Sequence, residues 1–322
     1  MKADRYADCR IRTGFAFDPI FATLPVTASG HPGNLGLVVR LGPSMNRARV
    51  VLLGTGTPIA DPDRSGPSLA LVVEDKAYVV DFGPGVVRRA AAAQLNGVQA
   101  LRTTNLETAF LTHLHSDHTT GYPDLISTPW VLGRSKPIDV YGPPGLASMT
   151  NHILAAYEMD REIRVCGLEP CNPEGYGAVA HEIGPGNCYQ DEYVSVEAFE
   201  VNHGDGWVAL GYQFTTENRR IVISGDTAPI DSVIEIWKGC DLLVHEVYST
   251  AGLLRCPREW QKYHSHMHTS SEQLAEIAGQ VNPKTLLLTH ILFWGSTEQE
   301  LVNEITQGYD GEVICGEDLG VY

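Results

Sequence analysis

The feature that most restricts the fold of this chain is a series of short, strongly apolar runs that each stop at a polar residue: 77–81, 108–113, 138–141, 194–203, 221–226, 241–246 and 285–290. Their length and β-branched content predict buried strands, and the longer patterns between them, Val86–Leu95 and 271–280, predict helices. Strands and helices alternating in this way predict a layered α/β fold. His113, His203, Asp226, His245 and His290 each sit at or just beyond the end of such a run. Strand ends in layered folds deliver side chains to a shared rim. Several strands bringing His or Asp to one edge is what a metal site requires.

The 322 residues, 43% of them hydrophobic, suffice for a large core. The core domain is expected to begin near Met45, because 47–58 reads as a buried strand running into a glycine turn, whereas 1–44 is rich in Gly, Pro and Thr without periodicity. The division is therefore an N-terminal extension, 1–44, and one domain, 45–322. The seven cysteines are odd in number, scattered and never arranged as CxxC, which speaks for free thiols in a reducing compartment. With no continuous apolar leader and no membrane-spanning run, the expectation is a cytoplasmic protein without a membrane partner. Acidic residues outnumber basic ones by 39 to 23, a net charge of −16, so a polyanion approaches against the field.

The densest chemistry is His113-Leu-His115-Ser-Asp117-His118. In an extended segment His113 and His115 point the same way, while Asp117 and His118 turn into a second pocket, so one loop feeds two adjacent metals. Neutral imidazole and carboxylate suit zinc, and equally manganese or iron. Asp226 ends an Ile/Val strand in Ser-Gly-Asp-Thr, where a carboxylate is costly unless it meets a cation. Asp81 and His245 are candidates to orient a ligand, with an ordinary buried hydrogen bond as the equal alternative. His31, His152 and His181 carry no supporting pattern.

This HxHxDH turn, with Leu53-Gly-Thr-Gly-Thr-Pro58 and Val80-Asp-Phe-Gly83 upstream, resembles the metallo-β-lactamase superfamily. Ser224-Gly-Asp-Thr227, His245-Glu246, His268-Thr-Ser270 and Leu288-Thr-His290 resemble its ribonuclease Z branch, which also holds arylsulfatase-like and other small-molecule hydrolases. The resemblance implies a four-layer αββα sandwich and a dinuclear site. One metal would take His113, His115 and His203, the other Asp117, His118 and His290, with Asp226 bridging. A hydroxide between two divalent ions, zinc first, would be the nucleophile, and Asp117 could also orient it. His268 stands before Thr269 and Ser270, which with Glu272 and Gln273 make capping-box candidates for the next helix. So placed, it could donate a proton to the leaving group or steady the developing oxyanion, and the family pattern pairs it with Glu246. His264 and His266 lie in the same run and compete for this role.

Substrate is less legible. Ribonuclease Z proteins grip transfer RNA with a basic arm, whereas 157–200 here has ten Asp or Glu and only Arg161 and Arg164 as cations. Tyr122, Trp130, Trp207, Tyr212, Phe293 and Trp294 lie near the motifs and suit a partly apolar pocket, with about half of them expected in the core. The first expectation is thus hydrolysis of an ester-type bond in a small molecule: a phosphodiester, sulfate, lactone or β-lactam. The alternatives are a transfer-RNA 3′ endoribonuclease and a non-catalytic metal-binding module. A homodimer follows the family habit.

Overall fold

The computed structural model describes residues 48–322; the N-terminal extension and the boundary at Met45 lie outside the described residues. A six-stranded sheet runs in sequence order through β1 (Arg49–Gly54), β2 (Ser68–Val73), β3 (Lys76–Val80), β4 (Thr108–Phe110), β5 (Ile138–Gly142) and β6 (Ala178–Glu182). A seven-stranded sheet follows through β7 (Gly186–Gln190), β8 (Ser195–Val201), β9 (Ala209–Thr215), β10 (Arg220–Ile223), β11 (Leu242–Tyr248), β12 (Thr285–Leu292) and β13 (Val313–Cys315). Each sheet begins as an antiparallel meander and ends with parallel strands, the switch falling at β3 in the first and at β10 in the second.

Three apolar cores stack between the layers. Leu52, Leu71, Val80, Phe110, Tyr212, Phe214 and Val244 fill the space between the two sheets. The outer face of the first sheet packs Val79, Ala109 and Val140 on Val86, Ala90, Leu125 and Leu146 of its helices. The outer face of the second packs Val222, Leu243 and Leu286 on Trp237, Leu274, Ala278 and Leu301. The result is the αββα sandwich. Strands buried on both sides show no polar alternation, which is why β11 reads Leu-Leu-Val-His-Glu-Val-Tyr and is buried throughout.

The helices obey their local signals. Helix Val86–Leu95 has the bounds read from the sequence, and helix Ser271–Val281 extends one residue beyond. Ser270 caps the latter: its side chain accepts from the Gln273 amide while the Gln273 side chain reaches back to the Ser270 amide. Asn282 then closes that helix in the left-handed region.

Buried Arg134 ties the helical layer to the first sheet. Its guanidinium donates to the carbonyls of Leu106, Leu125, Ile126, Lys136, Gly175 and Gly177, and burial lowers its pKa to about 10. A guanidinium with five donors satisfies a ring of carbonyls that no apolar side chain could.

Candidate metal centre

The rim of the two sheets gathers the motifs. β4 stops at Phe110, so His113 and His115 stand on the loop beyond it, and Asp117 and His118 lie in the single helical turn Ser116–Thr119. This loop is stitched to the second sheet, because Leu210 N donates to Thr112 O and the Tyr212 hydroxyl to Leu111 O. His203 follows β8. Asp226 follows β10 through Gly225, whose φ of +63° and lack of a Cβ are both needed: a Cβ there would lie 2.7 Å from Leu210 O.

His290 reaches the site by a different device. β12 continues to Leu292, but Glu246 pairs with Thr289 and Val247 with Ile291, leaving His290 as the unpaired extra residue of a bulge at φ +44°. Bulges re-aim side chains beside functional sites, and a left-handed non-glycine residue persists only where its surroundings hold it.

The side chains form two adjoining clusters. His113 Nε2 and His203 Nε2 lie 2.9 and 3.1 Å from His115 Nδ1. Asp117 Oδ2 lies 3.5 Å from His118 Nε2 and 3.3 Å from His290 Nε2. Asp226 Oδ2 stands between them, 3.4 Å from His118 and His290, 3.9 Å from His203 and 4.0 Å from His113. Ligands about 2.0–2.1 Å from a tetrahedral ion are spaced about 3.3–3.4 Å apart, so these separations fit cations at the centres. His118 Nε2 is buried with no hydrogen-bond partner, as a nitrogen aimed at an ion would be. The clusters are compatible with a dinuclear metal site.

Surrounding groups set the tautomers. Asp81, itself at φ +58°, accepts from His118 Nδ1 at 2.8 Å and from the Thr112 amide at 2.8 Å. The Thr112 hydroxyl lies 2.9 Å from both Asp81 Oδ2 and His113 Nδ1. His203 Nδ1 donates to Met267 O at 2.8 Å. Each places the ring proton away from the cluster and leaves the other nitrogen free to ligate. Burial, reinforced by neighbouring imidazoles, holds His113 and His203 neutral and lowers His115 to about 4. Burial alone would raise Asp226 and Asp117, but the histidines around them outweigh it and keep both carboxyls low.

His268 and Glu246 adjoin the clusters. Glu246 Oε1 accepts from the Thr269 amide at 2.9 Å and the Thr227 amide at 3.3 Å, while Oε2 faces His268 Nδ1 at 3.4 Å. Burial disfavours the His268 cation, yet Glu246 prevails and its pKa is raised. His266 is exposed and bonded to Lys262 O, and His264 lines the cleft with its ring 5.5 Å from that of His268.

His245 does not orient a ligand. Adjacent residues on a strand point to opposite faces, so with Glu246 turned to the site, His245 packs against Trp237 in the outer core. Of the six aromatics singled out, Tyr122, Trp130 and Tyr212 are core. Trp207 stacks edge-on against the His115 ring at 4.1 Å, and Trp294 lines the cleft. Sequence reasoning missed Trp260 and Tyr263, which line the same cleft of about 540 Å³. Their only signal was aromatic spacing on helix Arg258–Met267 beside His264.

Comparison with known proteins identifies the family of this chain. The family described as "Beta-lactamase superfamily domain" matches residues 76–291. A ribonuclease Z of Mycobacterium bovis is 32% identical over 276 residues, covering 84% of this chain and 96% of its own length. That of Mycobacterium tuberculosis is 31% identical over the same span. The crystal structure of human tRNase Z, short form, superposes with a TM-score of 0.64 at 25% identity, covering 85% of this chain and 98% of that one. The metallo-β-lactamase fold protein YhfI of Bacillus subtilis gives 0.66 at 17% identity, over 86% and 99%, a likeness of fold alone. The chain is a hydrolase of the metallo-β-lactamase superfamily and belongs to its ribonuclease Z-like branch.

Proposed function

We propose that this chain is a phosphodiesterase of ribonuclease Z type, with RNA bearing a 3′ extension, transfer-RNA precursors first, as substrate. This reverses the order expected from the acidic arm and the aromatic residues near the motifs, since the relatives are named ribonuclease Z and tRNase Z. The observation that carries the reading is the buried His268–Glu246 pair beside the two clusters: a module that only stored or sensed metal would not need an acid there.

His113, His115 and His203 would hold one divalent cation and Asp117, His118 and His290 a second, with Asp226 between them. Such a pair lowers the pKa of water towards about 7 and stabilises developing charge on phosphorus oxygens. The chain's own residues do the rest. Asp117 accepts a hydrogen bond from the attacking water and fixes its direction. His268, kept protonated by Glu246, donates to the departing oxygen. The amides of Thr227 and Thr269 hold Glu246 in place, and Trp207 closes the space behind His115. Zinc is the first candidate ion. Residues 1–44 are read as an extension of a hydrolase domain, 45–322, that works as a cytoplasmic homodimer.

The test is incubation of the metal-loaded protein with a precursor transfer RNA carrying a 3′ trailer. Chromogenic phosphodiester, sulfate, lactone and β-lactam substrates run beside it. Trailer removal supports the reading. Turnover of a sulfate ester, lactone or β-lactam with intact RNA refutes it. That outcome would favour the second reading, an arylsulfatase-like or other small-molecule hydrolase, which the net charge of −16 supports.

A further inference from the structure

Helix Arg258–Met267 has no buried residue, yet it carries Trp260 and Tyr263 at 52% and 42% exposure into the cleft above the clusters. An apolar aromatic left half in water costs free energy unless something covers it. The rings there are also ordered. His290 and His268 lie 5.7 Å apart at 18°, His268 and His264 5.5 Å at 32°, and His264 and Trp260 5.6 Å at 26°. A rail of near-parallel rings thus leads from the metal centre to the Trp260 face. Trp294 flanks it, 4.6 Å from His264, and is held at φ +43°. Backbone strain of that kind marks a side chain whose position the surroundings enforce.

Beyond His268 the rail offers only the ring faces of His264 and Trp260. Burial and the nearby His268 lower His264 to about 4. Among the described residues, no Lys or Arg lines the cleft. Away from the metal-ligating clusters at its floor, the cleft therefore offers a ligand ring faces rather than cationic side chains. Among the components of a nucleic-acid strand, only the base offers a flat π-face, and stacking on aromatic side chains is indifferent to sequence.

We propose that Trp260, with Tyr263 and Trp294 as flanking walls, is the specificity-determining platform on which the nucleobase next to the scissile phosphate stacks. The acidic chain would thereby hold a strand by its bases where it lacks the charge to hold its backbone. This rests on the phosphodiesterase reading and narrows it to nucleotidyl substrates.

The test compares two esters with one leaving group, thymidine 5′-(p-nitrophenyl phosphate) and methyl p-nitrophenyl phosphate. In metal-loaded Trp260→Ala, kcat/KM for the thymidine ester is expected to fall about tenfold, the loss of one base stack. The methyl ester should stay within about twofold, and Trp260→Phe should restore the first substrate. A second readout needs no turnover: in chelator, the affinity for thymidine 5′-monophosphate should weaken about tenfold in Trp260→Ala and persist in Trp260→Phe. Equal losses on both esters would make Trp260 a structural prop and overturn the proposal, as would no loss on either. Failure of the wild type to cleave either ester would instead overturn the phosphodiesterase reading, and this proposal with it.

Discussion

Asp81 touches no substrate in the proposed chemistry, yet replacing it by Asn is expected to weaken metal binding. Its carboxylate accepts from two fixed donors at once, His118 Nδ1 and the Thr112 amide, each at 2.8 Å. An amide of the same shape has one acceptor oxygen. If that oxygen serves Thr112, the NH₂ faces the His118 N–H, and the ring relieves the clash by moving its proton to Nε2, the nitrogen aimed at the cluster. If it serves His118, the NH₂ meets the Thr112 amide and the loop carrying His113 must shift. Loss of such an orienting partner costs about 10–100-fold in metal affinity, or about 1.4–2.8 kcal/mol. The cluster of Asp117, His118 and His290 should bear most of it, because His113 senses Asp81 only through the Thr112 hydroxyl. Backbone strain does not confuse the test, since Asn tolerates the left-handed region at least as well as Asp, and residue 81 sits at φ +58°. Competition titration of zinc against a chromogenic chelator, with a melting curve of the metal-free protein as control, gives the answer. Unchanged affinity for both ions would refute the assigned tautomers, and a large fall in the melting temperature would reassign Asp81 to stability.

Three further outcomes follow from the same contacts. His268→Ala should lower turnover by about 10²–10⁴-fold with two metals still bound by elemental analysis; metal loss would recast His268 as a ligand. Arg134→Met removes the donor to six carbonyls, five of them buried and one of those, Gly177 O, still held by the Ile138 amide, and at about 1–3 kcal/mol for each acceptor left dry the loss of stability should reach at least about 3 kcal/mol by urea denaturation, a shift below about 1 kcal/mol showing that the carbonyls find water instead. Burial would raise the Asp191 carboxyl, but hydrogen bonds from the Tyr78 hydroxyl and the Val194 and Tyr193 amides outweigh it and lower the pKa below 3.8. Its contribution is therefore complete above about pH 4 and fades as pH falls through the lowered value, so Asp191→Ala should be destabilised at pH 7 with a gap that narrows on acidification; a gap independent of pH would place the effect outside the carboxylate.

What could be read from the sequence divides by the kind of regularity involved. The inner parallel strands of the second sheet are buried on both faces, so β10, β11 and β12 surface in the sequence as apolar runs, and the His and Asp at their ends stand out against them. The HxHxDH turn is a local signal that survives without any tertiary knowledge. His245 shows the limit of the same reasoning. In a strand buried on both sides, hydropathy does not say which of two neighbouring polar residues faces the rim, and only the odd-even alternation settles that His245 and Glu246 cannot both do so. His290 does close an apolar run, but the bulge that re-aims it shifts the register by one residue, and nothing in the run announces that shift.

The wall of the cleft was the least legible part, and the reason bears on function. Core helices announce themselves by an apolar stripe that the core demands. Helix Arg258–Met267 lies over the rim with none of its residues buried, so its aromatics pack on one another and on His264 rather than into the core. Trp260 and Tyr263 therefore look like noise against the periodicities that betray strands and core helices. A large ring kept exposed beside two clusters of metal-ligating side chains is either a cost carried without return or a surface completed by the substrate. The two differ in consequence. Were the rings merely uncovered, polar substitution at Trp260 would raise solubility and leave catalysis alone. If a base covers them, the same substitution gains nothing in water that it does not lose in the bound complex, and the loss falls on substrates that carry a base.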